Sequence, residues 1–508
     1  MESSRLLTCS SLNVQTFRHL STDHFKSMLS RLLKRLAGIR DVSDPDVTTE
    51  ALFRDGTAAF MAGDFAKAER LLAAVTTANP AHAQAWFNRA AAFHRRNLLM
   101  DATRCCTIAL QLEPSRQDWR DAMKHLTNDL GYAGPPMRGP SGAANQDDWV
   151  AQLAAGNTFK REGRMAEAEQ SYRLALAASE KSPYVARRLG SLLAINGNRA
   201  EADALFRHSA SFGLDPDTVV RLADEFLDEI NQAFETRIAA LPAISGTFGS
   251  TTRSCVYFLS CDPAYFRKFG FALLNSLRTN CKHDFAVHLH LVNPDASCEA
   301  EAKAVAAGFG IDEFFVSCET ARFANLQAQK TYYACARFLR FPALLKAYRR
   351  PVWLLDLDQL VVSDPQAVVL AVDDAPAPDV ALVRFDATRS APWDQFSATA
   401  VFAGPTPAAH LFLERVAAYV AFFLEQGAHA WFLDQLGLFS ACAQAESGAS
   451  IRFLESKIVC LANPEIPAEP PAGTVFWTIV GSVEASIGSL AHPIFTRYDR
   501  GGRSSMAN

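Results

Sequence analysis

Apolar positions between residues 49 and 216 fall at helical spacing, and their pattern repeats every 34 residues. Ala68 and Pro80 recur as Ala102 and Pro114, while Gly156, Gly163 and Ala168 recur as Gly190, Gly197 and Ala202. Gly63 stands before Ala68 as Gly163 stands before Ala168, and Trp86, Ala109, Tyr172, Ala175, Leu189 and Phe206 sit around them. The spacing predicts two antiparallel helices per unit, with small residues where backbones cross and large ones filling the seam to the next unit. Gly131-Tyr132-Ala133-Gly134-Pro135-Pro136 and the Gly- and Pro-rich residues after it break the pattern, which predicts a loop over 131–145. A further helical stretch, Asp217–Ala240, is expected to cap the array.

Beyond Gly246 the period changes. Short runs rich in strand formers, Cys255–Leu259, Phe285–Val292, Glu313–Val316 and Pro351–Leu355, alternate with helical stretches at Tyr265–Leu277 and Cys298–Ala307. Such alternation predicts a mainly parallel sheet covered by helices. Ligands of these sheets sit beyond the carboxyl ends of the strands. Two acidic sites occur there: Ser260-Cys261-Asp262 after the first strand, and Asp356-Leu357-Asp358 after Pro351–Leu355. Carboxylates at i and i+2 of an extended segment face one side and could share a hard cation such as Mg²⁺ or Mn²⁺. A bare Asp-x-Asp is also what a solvated turn looks like, so its place at a strand end is what draws notice.

Composition narrows the choices. Net charge is −4 over 508 residues, which gives no general attraction to nucleic acid. Eleven cysteines show no paired spacing of a disulfide framework or zinc cluster, as in a reducing compartment, so a cytoplasmic location is expected. No uninterrupted apolar run of membrane-spanning length occurs. Residues 1–45 are basic. Phe25–Leu36 reads as a short amphipathic helix that docks on its neighbours, rests on the inner face of a membrane or belongs to a transit peptide. The sequences of a P-loop, a dinucleotide fingerprint, a zinc-protease helix and a nucleophile elbow are all missing.

The 34-residue pattern resembles tetratricopeptide (TPR) repeats over 49–240, a family that implies a groove for a protein partner. The second half, 250–500, resembles family 8 glycosyltransferases and their relatives. Thr331–Leu345 followed by Val352–Asp358 is similar to that family's Tyr/Arg helix and metal-binding strand end. Ser260–Tyr265 is similar to its base-contacting loop. Phe396–Phe402 with the helix at Ala408–Phe423 is similar to its sugar-site strand and helix, and Trp431-Phe432-Leu433-Asp434-Gln435 to its Asp-Gln pair. The resemblance implies all-α TPR repeats followed by an α/β GT-A domain, a Rossmann-like fold for nucleotide-diphospho-sugars, with a tail at 501–508. It implies a metal-dependent hexosyltransferase-like enzyme using a UDP-sugar or similar donor and a glycan, lipid or protein acceptor.

Residue by residue, Asp356 and Asp358 would hold Mn²⁺ or Mg²⁺, and Asp262 and Ser260 would meet the nucleotide. Arg337 or Arg340 would bind phosphate, unless one of them pairs with a core carboxylate. Asp434 and Gln435 would orient sugar or acceptor, with Asp394 a weaker candidate nearby. Three departures stand out. Ser397-Ala398-Thr399 replaces Asn-Ser-Gly, the helix arginine is offset by one residue, and Thr478 and Glu484 replace a metal-binding His and a phosphate-binding Lys. His492 is the nearest substitute ligand. A TPR scaffold with a silent transferase-like domain is the competing expectation.

Overall fold

The computed structural model describes residues 45–130, 148–213, 217–246, 248–370, 376–386, 391–428, 430, 432–444, 448–461, 469–478 and 490–499. The basic N-terminal helix, the break at 131–145, Trp431, Glu484 and the tail at 501–508 lie outside them. The chain divides into two compact units, residues 1–186 and 187–508.

The first unit is helical. Helices Phe65–Ala78 and Ala83–Arg95 recur as Leu99–Leu112 and Gln117–Asp129, displaced by 34 residues at both ends. Trp149–Arg161 recurs in the same way as Pro183–Ile195, and Met165 at a helix start recurs as Arg199. The turn inside each repeat needs a left-handed residue, supplied in the first unit by Gly63 (φ 82°), Asn97 (φ 60°) and Gly163 (φ 77°) and in the second by Gly197 (φ 87°). At each of these turns two N–H groups reach back to carbonyls of the last helical turn. Gly63 donates to Phe60 and Asp64 to Ala59; Asn97 donates to His94 and Leu98 to Phe93. Ala68, Ala102 and Ala168 are fully buried at the crossings. Gly156 lies against Tyr172, where an added Cβ would come within 2.5 Å of the ring. Beside it, the Tyr172 hydroxyl donates to Asn157 Oδ1 at 2.7 Å, and Asn157 Nδ2 donates to the Leu130 carbonyl at 2.6 Å.

In the second unit an eight-stranded sheet has the order β1-β4-β3-β2-β5-β8-β7-β9. The strands are β1 (Ser245–Gly246), β2 (Cys255–Cys261), β3 (Phe285–Val292), β4 (Phe314–Glu319), β5 (Val352–Leu355), β7 (Val380–Arg384), β8 (Phe396–Ala403) and β9 (Ile451–Glu455). β4, β3, β2 and β5 run parallel, whereas β8 joins β5 antiparallel, so the parallel part is narrower than the sequence suggests. β2 is buried at every position and β3 at all but its first, as strands covered on both faces must be. A small second sheet sets β11 (Phe476–Thr478) between β6 (Gln359–Val361) and β10 (Val459–Leu461).

The division at Ala186/Arg187 falls inside the helix Pro183–Ile195 and groups the helical residues up to 240 with the sheet. The reason lies within the second unit, where the segment after Arg187 packs on the helix Pro407–Glu425. The Tyr419 hydroxyl donates to the Val219 carbonyl at 2.6 Å and accepts from the Arg221 N–H, and Phe226 meets Phe422 edge-on at 5.0 Å. Asp217–Ala240 is not one helix but a 3₁₀ turn at Asp217–Val219 followed by helices Asp224–Gln232 and Phe234–Ala239. Pro407–Glu425 is the one described helix long and apolar enough to cross a membrane. Here Phe412, Val416, Ala417, Tyr419 and Val420 are instead buried within the unit. The ten cysteines among the described residues are free thiols.

Inside the sheet His288 hydrogen-bonds the Tyr348 and Ser317 hydroxyls, both at 2.8 Å, and burial pushes its pKa down to about 3. The unfolded chain therefore takes up a proton below the ordinary histidine pKa that the folded chain refuses. This group leaves stability unchanged above about pH 6.5 and erodes it by about 1.4 kcal/mol per pH unit below that. Denaturant unfolding followed by tryptophan fluorescence between pH 7 and 4.5 is expected to show this slope, and His288→Gln to reduce it. In the first unit, Gly156→Ala is expected to cost about 1–3 kcal/mol through overpacking. In the second unit, Gly308→Ala, which meets nothing within 4 Å, is expected to stabilise by about 0.4–1 kcal/mol by the same measurement.

Candidate functional site

Two strand ends and two helices bring the acidic residues together. β2 ends at Cys261, and Asp262 caps the short helix Pro263–Tyr265 by accepting the Tyr265 N–H at 2.9 Å. That turn presents Tyr265 toward the end of the neighbouring parallel strand β5, where its hydroxyl donates to Asp358 Oδ2 at 2.8 Å.

β5 runs into Asp356-Leu357-Asp358 and continues as β6. Leu357 is 1% exposed, so it anchors the turn in the core while its two acidic neighbours remain partly open. The turn is tied to β8 through one carbonyl. Thr399 accepts the Asp356 N–H at 2.8 Å and Gln359 Nε2 at 2.9 Å. The Ser397 and Thr399 hydroxyls join at 2.8 Å, so the segment replacing Asn-Ser-Gly forms its own polar pair.

Arg337, on the helix Leu326–Tyr348, stands between two carboxylates. One guanidinium nitrogen pairs with Asp356, and the other lies 3.1 Å from Asp434 Oδ2 on the helix Leu433–Ala443. Asp434 is 5% exposed. Burial raises its pKa while Arg337 opposes the rise. Burial likewise raises Asp358, opposed by the Tyr265 hydroxyl and then by Arg337. The sequence-read residues Asp262, Asp358, Asp356, Arg337 and Asp434 are thus linked, in that order, through the Tyr265 turn, the acidic turn and the guanidinium. Gln435 follows on the same helix, and its N–H donates to Asp434 Oδ1 at 2.9 Å. Gln435 Oε1 and Ser260 Oγ are both buried with no hydrogen-bond partner among the described residues.

Arg340 does not join this group. It pairs with Glu319 at the end of β4, where Tyr332 donates to the same carboxylate at 2.8 Å and His290 lies 3.4 Å away. Burial works against Glu319, yet His290, Arg340 and Tyr332 together hold its pKa below the usual value. Arg340 is therefore the arginine that meets a core carboxylate. Asp394 lies half-buried in a 3₁₀ turn at Pro392–Asp394 just before β8. Thr478 is buried opposite Gln359 in the small sheet. His492 accepts the Ile494 N–H at 3.2 Å and lies tilted against Trp477 with centroids 5.3 Å apart, so Nδ1 serves a helix end. Among the described residues, Asp356 and Asp358 have no third Asp, Glu, His or Cys placed to complete a metal cluster. The residue that sequence reasoning left without a role is Tyr265. Its signal is its position three residues after a capping Asp at a strand end.

No family model matches the chain, and no curated protein matches it. Solved structures that it is similar to are glycosyltransferases. WbbM, described as a bifunctional glycosyltransferase, is 14% identical, with 49% of this chain and 51% of that one covered and a TM-score of 0.34. Mouse xyloside xylosyltransferase 1 is 12% identical, covering 45% and 98% with a TM-score of 0.29. The galactosyltransferase LgtC, solved with donor and acceptor sugar analogues, is 12% identical, covering 49% and 95% with a TM-score of 0.34. The match spans about half the length of WbbM. Likenesses at this level carry no argument about chemistry, which rests on the residues themselves.

Removing Arg337 leaves the Asp434 and Asp356 carboxylates facing each other without a cation. Arg337→Ala is expected to destabilise the second unit by about 3–5 kcal/mol in denaturant unfolding. The double change Arg337→Leu with Asp434→Leu is expected to recover most of that loss.

Proposed function

We propose that the second unit transfers a sugar from a nucleotide-sugar donor, a UDP-sugar in the simplest case, to a glycan, lipid or protein acceptor. The observation that carries this reading is the convergence of Asp356, Asp358 and Asp434 about Arg337 at the carboxyl end of β5, where ligands of parallel sheets bind. The two turn carboxylates fit a hard cation. They are oxygen donors two residues apart in the turn after β5, one bonded to Arg337 and the other to Tyr265, and such a cation takes only part of its ligand shell from protein. Mn²⁺ or Mg²⁺ held there would supply Lewis-acid neutralisation of the diphosphate leaving group.

The chain's own groups have distinct tasks in this scheme. Tyr265 fixes the rotamer of Asp358, and Arg337 fixes that of Asp356, so both carboxylates are set before a donor arrives. Arg337 also adds positive potential beside the leaving phosphate. Asp262 and Ser260 lie at the end of β2 to meet the nucleoside, Ser260 with its unpaired hydroxyl. Asp434, oriented by Arg337, and Gln435, with its free amide oxygen, take the sugar hydroxyls. The helical repeats, which resemble TPR units, dock the acceptor or a partner protein, and the chain works in the cytoplasm with its basic N-terminal segment on the membrane face.

Donor turnover in the presence of Mn²⁺ tests the assignment. Asp356→Ala and Asp358→Ala are each expected to lower turnover at least a hundredfold with circular dichroism unchanged. Parent-like rates in both variants would refute it, and lack of any metal-dependent donor binding by the parent protein would favour a silent scaffold.

A further inference from the structure

A second group of ligand-type side chains lies away from the acidic turn. Cys281 and His283 follow the helix Phe271–Asn280, and Asp364 follows β6. One potential ligand atom from each lies within 4.8 Å of the other two. Cys281 closes its helix in extended conformation (φ −79°, ψ 127°), and His283 follows two residues on, at a bend before β3. Asp364 is held in place by the N–H groups of Lys282 and Gln366, both at 3.0 Å, and lies 3.1 Å from His283 Nδ1. Tyr257, in the middle of β2, forms the floor, its hydroxyl 3.1 Å from Cys281 Sγ and 3.2 Å from His283 Nε2. The Cys281 side is buried, while His283 and Asp364 are about 15% exposed, which leaves an entry path.

We propose that Cys281, His283 and Asp364 form a site for a borderline-soft divalent ion of the zinc class, with water or the Tyr257 hydroxyl in the fourth position. Thiolate, imidazole and carboxylate together select such an ion over Mg²⁺ or Mn²⁺, which take oxygen ligands. Bonds of about 2.0–2.3 Å in a tetrahedron need only small closure of the present spacing. The backbone clamp on Asp364 supplies the outer support that keeps a ligand oriented. The ion would join the end of a helix to the segment leaving β6, a structural role. Tyr257 pairs in register with Trp353, three residues or about 10 Å along the strand before Asp356, so this ion is separate from any cation at Asp356 and Asp358.

Full-length protein stripped with chelator and titrated with Co²⁺ tests the site. One equivalent is expected to produce a thiolate-to-cobalt charge-transfer band, and Zn²⁺ to displace it and raise Tm. Cys281→Ser is expected to abolish the band, and Asp364→Asn to weaken binding at least tenfold with circular dichroism unchanged; the second variant decides if the first fails to fold. The Asp356→Ala, Asp358→Ala double variant is expected to retain the band, so the result is independent of sugar transfer. Absence of a thiolate band in the parent, its persistence in Cys281→Ser, or its loss in the Asp356/Asp358 variant would overturn the proposal.

Discussion

The second unit depends on one buried cation. Arg337 is 6% exposed and faces Asp356 on one side and Asp434 on the other. A lone guanidinium would not be tolerated at that depth, and neither would Asp434 without a partner. The two carboxylates and the cation therefore require one another, and they pin three separate elements: the helix Leu326–Tyr348, the turn after β5 and the helix Leu433–Ala443. Removal of solvent makes each charge matter more, which is costly for folding and useful for recognising a charged ligand.

A second charge network runs beside the first without touching its chemistry. Glu319, Arg340, His290 and Tyr332 close on themselves at the end of β4. Two arginines three residues apart on one helix thus serve opposite ends: Arg337 joins the partly open Asp356 to the buried Asp434, and Arg340 sits in a closed pair. Helical spacing puts both on neighbouring faces, and only the partner contributed by a distant strand tells them apart.

That distinction marks where sequence reading stops. The period of 34, the strand runs Cys255–Leu259 and Phe285–Val292 and the acidic turn after β5 are local patterns, and they were legible. Asn97 stands outside the glycine pattern, because asparagine also tolerates the left-handed turn. The packing of the segment after Arg187 on the helix Pro407–Glu425 is hidden for another reason. Tyr419 and Phe226 meet across some two hundred residues, and no local periodicity reports such a contact. The same holds for Tyr265 with Asp358, and for Cys281 and His283 with Asp364, each pair joined only by the sheet.

Leu357 has a further consequence for how the chain assembles. It sits between two acidic residues and is almost wholly enclosed. The turn it anchors carries the chain from β5 of the large sheet into β6 of the small one. Enclosure of Leu357 therefore ties the two sheets together at the point where the carboxylates emerge, and losing that apolar contact would loosen both acidic groups at once.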